Sequence, residues 1–192
     1  MSDTPRGGPA AAAPPRAGAA VFFTGLSGAG KSTLAQAVAA AITEATARPV
    51  TLLDGDAVRT HLSSELGFSR EHRDLNIHRI GWVAGEIVRH GGLALCAAIA
   101  PYDAARREVR RTIAPLGGFL LVHVSTSLDV CEERDVKGLY ARARAGAVPA
   151  FTGISDPYET PSDADLTIDT ARVSLEDACA LVLERLRGDG YL

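Results

Sequence analysis

GLSGAGKST, residues 25–33, decides the fold of this chain. Gly25, Gly30, Lys31 and Ser32 hold the fixed positions of G-x-x-x-x-G-K-[ST], a pattern whose parts each serve a triphosphate. Glycines let the backbone amides turn inward, and those amides with a helix N-terminus form an anion nest. Lys31 supplies a point charge for the β- and γ-phosphates, and the Ser32 hydroxyl suits a Mg²⁺ ion carried with ATP. All nine residues, Gly25, Leu26, Ser27, Gly28, Ala29, Gly30, Lys31, Ser32 and Thr33, are therefore expected to contact ATP. The context agrees, since an apolar strand, Ala20–Thr24, precedes the loop and an amphipathic segment, Lys31–Ala45, follows it.

Outward from the loop, short apolar runs alternate with longer amphipathic ones, the signature of an α/β fold with a doubly wound parallel β-sheet flanked by helices. Strands are expected at Val50–Asp54, Leu93–Ala98, Phe119–Val124 and Leu166–Asp169, and helices at Ala57–Leu66, Arg73–His90, Ala104–Ile113 and Leu128–Arg134. A last helix starts at Ser174, with Asp177 as its capping-box partner. Residues 135–162 carry Gly138, Gly146, Pro149, Gly153, Pro157 and Pro161. So long an irregular segment in a compact domain suggests a lid. Residues 1–18 are Ala, Pro and Gly with two arginines, a composition that reads as a disordered tail ahead of one domain, 19–192.

Composition narrows the function classes. With 192 residues, 46% of them hydrophobic, the chain suffices for one α/β domain with a core. A net charge of −3 gives no basic field for nucleic acid. Three cysteines at spacings matching no zinc or redox motif read as reduced, buried thiols. No apolar run reaches membrane-spanning length, and the N-terminus lacks signal-peptide order, so a cytoplasmic protein is expected.

Two carboxylates follow the second strand in Asp54-Gly55-Asp56, with Arg59 nearby. The C-terminal end of a parallel strand is where such folds bind ligands. One carboxylate is suited to Mg²⁺ and the other to an acceptor proton; the alternative is a turn in which Asp56 merely caps a helix. No N-K-x-D selects guanine, and the chain is short for a motor or transporter ATPase. In GFSREHRDLNIHR, residues 67–79, Arg73, Asn76 and Arg79 recur at spacings of three and share a helix face. On the residues alone that face is first a solvated charged one, and otherwise suits an anionic ligand; Phe68 is either a stacking platform or a core anchor.

Several separated motifs resemble the adenylyl-sulfate kinase (APS kinase) family in order: GLSGAGKST, LLDGDAVR, LGFSREHRDLNIHRIGWVA, CAAIAPYDAARREVR and VCEERDVKGLYARARAGAVPAFTGISDPYETP. The resemblance runs from about Ala19 to the C-terminus, and the last two motifs are the most specific. It implies transfer of the γ-phosphate of MgATP to the 3′-hydroxyl of adenosine 5′-phosphosulfate (APS). Arg59, Arg73 and Asn76 would hold the phosphosulfate and ribose, and Phe68 and Phe151 would sandwich the acceptor's adenine. Lys137 would approach the transferring phosphates or the acceptor, and Arg134 would lie against the adenine of ATP. Asp56, or else Asp54, would be the base, with Lys31 catalytic, Ser32 and Asp54 on the metal, and residues 135–162 the lid. A homodimer is implied by the resemblance, and an ATP sulfurylase is a further possible partner.

The departures are His72, Leu75 and His78, which motivate a reading with a different nucleotide-like acceptor. Ala100 stands at the position of a family serine once proposed to carry phosphate, so in-line transfer is expected. The run CAAIAPY is similar to kinase domains fused to ATP sulfurylase, some of which only bind an effector. Retention of Lys31 and the loop glycines speaks against that third reading.

Overall fold

The computed structural model describes residues 17–46 and 48–192. The expected tail therefore lies, but for its last two residues, outside the described residues. Five strands form one parallel sheet: β1 (Ala19–Thr24), β2 (Val50–Asp54), β3 (Leu93–Ala97), β4 (Gly118–Val124) and β5 (Leu166–Ile168), in the order β2-β3-β1-β4-β5. The register sets Phe22 beside Cys96 on one side and Leu121 on the other.

β1 is apolar at nearly every position because both its faces are covered. Val21 and Phe23 join one core with Leu34, Val38 and Ile42 of α1 (Lys31–Ala45) and Val182 and Leu186 of α7 (Leu175–Gly188). Ala20 and Phe22 join the opposite core with Ile77, Ile80 and Ala84 of α3 (Arg70–Arg89) and Val109 and Ile113 of α4 (Asp103–Ile113). Phe22 and Phe23 are fully buried, and truncating either to alanine is expected to cost roughly 3–5 kcal/mol. β1 is thus a rigid base for the loop that leaves its C-terminal end. The three cysteines are buried and unpaired.

Most ends fall within two residues of expectation, and three larger differences have local causes. α2 covers Gly55–His61, ending before Leu66, because Ser63 and Ser64 are poor helix formers and the Leu62 carbonyl is taken by Arg79 Nη1 at 2.8 Å. Its N-cap is Asp54, which accepts from the Asp56 amide at 3.0 Å; Asp56 is not the cap and its side chain is free for other work. α3 starts at Arg70, three residues early, because Ser69 caps it through the His72 amide. After α5 (Leu128–Arg134), the segment read as irregular contains a short helix, α6 (Leu139–Arg144). Asp135 creates it by accepting from the Tyr140 and Ala141 amides, each at 3.0 Å. The capping box at Ser174 and Asp177 is present as expected.

Candidate active site

The glycine loop closes where β1 ends. A side chain at Gly25 would put its Cβ 2.4 Å from the Val124 carbonyl oxygen, so only glycine fits beside β4. Gly30 takes a left-handed φ of 98° as the N-cap of α1. Thr126 and Thr170 both donate their hydroxyls to the Ala29 carbonyl, at 3.2 and 2.9 Å. Those two bonds fix the peptide between Ala29 and Gly30, a residue that lines the cavity. Lys31 is buried and donates to the Leu26 carbonyl at 2.7 Å. Burial, above all, lowers its pKa from 10.5 to about 8, with the nearby Lys137 acting the same way and Asp54 and Asp56 opposing it.

Beyond the loop lies one cavity of about 590 Å³. Of the residues expected to contact ATP, Ser27, Gly28, Gly30, Lys31, Ser32 and Thr33 line it; Gly25, Leu26 and Ala29 stand behind it as backbone support. The same cavity is lined by Asp54, Asp56, Arg59, Phe68, Arg73, Asn76, Lys137 and Phe151, so residues spread over 120 positions of sequence share one chamber. Ser32 Oγ donates to Asp54 Oδ2 at 2.5 Å. A hydroxyl from the first turn of α1 and a carboxylate from the end of β2 are hard oxygen ligands of the kind Mg²⁺ takes alongside a triphosphate.

The far wall is built by α2, α3 and the turn between them. Arg59 donates to the Leu66 and Gly67 carbonyls at 3.2 and 3.1 Å, and its guanidinium lies 4.4 Å from the Phe68 ring centroid. Burial and then the charge of Arg73 lower the Arg59 pKa. Phe68 is 61% exposed, so it is no core anchor; Arg59 lies over its ring and the Arg73 guanidinium stands 6.0 Å from its centroid. Asn76 is buried and lines the cavity, and its Oδ1 has no partner among the described residues. A buried orphan acceptor beside a cavity marks a place for a ligand donor. Arg79, expected on the same face, instead pairs with Glu65 at 2.6 Å and does not line the cavity.

The lid side joins the loop directly. Lys137 is ion-paired with Asp56. Tyr140 donates to the Ser27 carbonyl at 2.9 Å and meets Phe151 edge-on, with ring centroids 5.0 Å apart. Arg134 donates to the Gly28 carbonyl at 3.3 Å and to Thr170, and so lies against the loop without lining the cavity.

The family model described as adenylylsulphate kinase matches residues 17–169. The chain belongs to the adenylylsulphate kinase family. It is 53% identical over 177 residues to an adenylyl-sulfate kinase of Synechococcus sp. (strain JA-3-3Ab), covering 92% of this chain and 98% of that one. It superposes on the APS kinase of Mycobacterium tuberculosis, solved in complex with AMPPNP and APS, with a TM-score of 0.86 at 40% identity, covering 91% of this chain and 99% of that one. It is also 45% identical over 181 residues to a sulfate adenylyltransferase of Aspergillus terreus, covering 93% of this chain but only 32% of that one. Among the described residues no helix is long and apolar enough to cross a membrane.

Within this family fold, several site residues escaped the reading of the sequence. Arg142 of α6 lines the cavity, and as one of two arginines in the run ARARAG, residues 141–146, it carries no signal that distinguishes it. Arg106 is fully buried and ties the Ala100 carbonyl (2.7 Å) to the Glu159 carbonyl (2.6 Å), holding Ala100 at a left-handed φ of 45° on the cavity wall. Tyr102 and Asp156 bond each other at 2.6 Å just behind that wall. Both lie within motifs quoted above, IAPY and ISDPYETP, where only the spatial fold reveals what they touch.

Proposed function

We propose that this chain is an ATP-dependent kinase of adenosine 5′-phosphosulfate, giving ADP and 3′-phosphoadenosine 5′-phosphosulfate. One observation carries the reading: the phosphate loop and the Arg59–Phe68–Arg73–Asn76 wall face each other across a single cavity of about 590 Å³. Similarity to a kinase solved with AMPPNP and APS together supports the same pair of ligands here.

Catalysis is then positioning and charge neutralisation. The loop amides and Lys31 hold the triphosphate. Ser32 and Asp54 would hold Mg²⁺, which when bound neutralises charge on the β- and γ-phosphates. Arg59, Arg73 and Asn76 orient the acceptor, whose adenine lies between Phe68 and Phe151. Asp56 accepts the proton of the 3′-hydroxyl once Lys137 has turned from it to the phosphates, and the 135–162 lid excludes water that would otherwise waste ATP. A cytoplasmic homodimer, supplied with acceptor by a sulfurylase, is the setting proposed for it. The A. terreus chain bearing that activity's name carries a segment similar to this one.

The different-acceptor reading loses its motive in the structure. His72 accepts from the Gly67 amide at 2.9 Å, Leu75 is exposed, and none of His72, Leu75 and His78 lines the cavity. The test is ADP release in a coupled assay with ATP and APS. APS-dependent turnover is expected; ATP binding without APS-dependent turnover would overturn the assignment.

A further inference from the structure

Arg73 does more than face a ligand. Its Nε donates to the Phe68 carbonyl at 2.8 Å, and its two terminal nitrogens donate to Thr152 Oγ1 and the Ala150 carbonyl. The guanidinium therefore grips the backbone of one aromatic wall and both neighbours of the other, Phe151. A planar fork with fixed donor directions sets the relation between those walls in a way that a point charge does not. Ala150 is held at a φ of 50°, a conformation unfavourable for a residue with a Cβ and maintained here by the bond from Arg73.

Something must in turn aim Arg73. Asp156 lies 3.6 Å from Arg73 Nη1, and the Tyr102 hydroxyl donates to Asp156 Oδ2 at 2.6 Å. Tyr102 is buried at the start of α4, and neither it nor Asp156 lines the cavity. Their chain runs from the start of α4, through a carboxylate, to the guanidinium that spans the two walls. We propose that Tyr102 and Asp156 are positioning residues for acceptor recognition, acting through Arg73 to fix the gap between Phe68 and Phe151. The proposal rests on the acceptor reading above, because it is the acceptor's base that the gap receives.

Tyr102→Phe keeps the ring in its buried space and removes one hydroxyl; Asp156→Asn keeps the shape and removes the charge. Each is expected to raise KM for APS about tenfold, the factor carried by one charge-assisted hydrogen bond, with KM for ATP and kcat unchanged. The double variant should resemble the singles, since both act through one guanidinium. Arg73→Lys, which keeps the charge and loses the three-way grip, should lose APS affinity beyond either. Amide hydrogen exchange of the ligand-free proteins supplies a readout independent of any acceptor: residues 150–156 should exchange about tenfold faster in both variants, with the phosphate loop unaffected. Unchanged exchange, KM for ATP rising in step with that for APS, or faster exchange with an unaltered KM for APS would each overturn the proposal. Wild-type protein without APS turnover would instead overturn the assigned reaction, and exchange would then decide the positioning role.

Discussion

Ser32 Oγ donates to Asp54 Oδ2 at 2.5 Å, joining the first turn of α1 to the end of β2. Asp54 also caps α2 through the Asp56 amide, so one carboxylate orients both the hydroxyl proposed to face the metal and the helix carrying the proposed base. Ser32→Ala and Asp54→Asn are expected to lower kcat by roughly 10²–10³-fold, the usual loss when one element of charge stabilisation goes. Titration with MgCl₂ at fixed ATP should show a raised requirement for Mg²⁺ in both. A variant with normal Mg²⁺ dependence would remove that residue from the metal site.

Lys31 gives the site a pH signature. Its pKa of about 8 in the ligand-free protein, against 10.5 when unfolded, means the unfolded chain binds more protons between those values. Stability from this group therefore rises as pH climbs from about 8 to 10.5, and the cost of burying the cation is fully felt below that window. Bound triphosphate favours the charged amine, so ATP binding above pH 8 should take up a proton. Calorimetric titration of ATP at pH 9 in buffers of different ionisation enthalpy measures that uptake directly, and Lys31→Met should abolish it.

The loop and sheet could be read from sequence because each rests on local rules: glycines at fixed spacing, and strands apolar on both faces. β2, α1 and α5 fall where expected for that reason. Asp54, Asp56, Arg59, Phe68, Arg73 and Asn76 all line one cavity, but their spacing alone leaves a turn, a solvated face and a core anchor open, and it is the family resemblance that implies roles for them. What escaped depends on contacts distant in sequence. Arg79 sits on the same helix stripe as Arg73 but pairs with Glu65, a choice made by how the α2–α3 turn folds. α6 hides in a glycine-rich stretch because its start depends on the Asp135 carboxylate rather than on apolar periodicity. Tyr102 and Asp156 are 54 residues apart, and no pattern in either segment points to the other.

Asp56 and Lys137 separate stability from catalysis. Their ion pair is exposed, with side chains 72% and 53% accessible, so it should contribute little to folding. Lys137→Ala and Asp56→Asn are accordingly expected to melt within about 4 °C of the parent, since exposed pairs are worth about 0–1 kcal/mol. Turnover should fall sharply all the same: roughly 10²–10⁴-fold in kcat for Asp56→Asn, the range for a lost general base, with KM for ATP little changed. Thermal melts beside steady-state kinetics make the comparison. Full activity in Asp56→Asn would transfer the base to another group.

Two glycines with similar backbone signs should respond very differently to alanine. Gly138, the N-cap of α6, has a φ of 62°, and a Cβ there would meet nothing within 4 Å. Gly138→Ala is thus charged only with the left-handed conformation, about 1–2 kcal/mol, which a modest drop in Tm would register. Gly25 has a φ of 150° and a neighbouring carbonyl oxygen 2.4 Å from where the Cβ must go, between two strands of a fully packed sheet. Gly25→Ala therefore forces β1 from β4 or pushes the loop into the cavity, and neither can occur without harm to the nucleotide cradle. The expected result is loss of ATP binding together with a much larger fall in Tm than for Gly138→Ala. Equal melting temperatures for the two variants would mean that the loop adjusts freely, and the rigid-cradle account of the site would have to be given up.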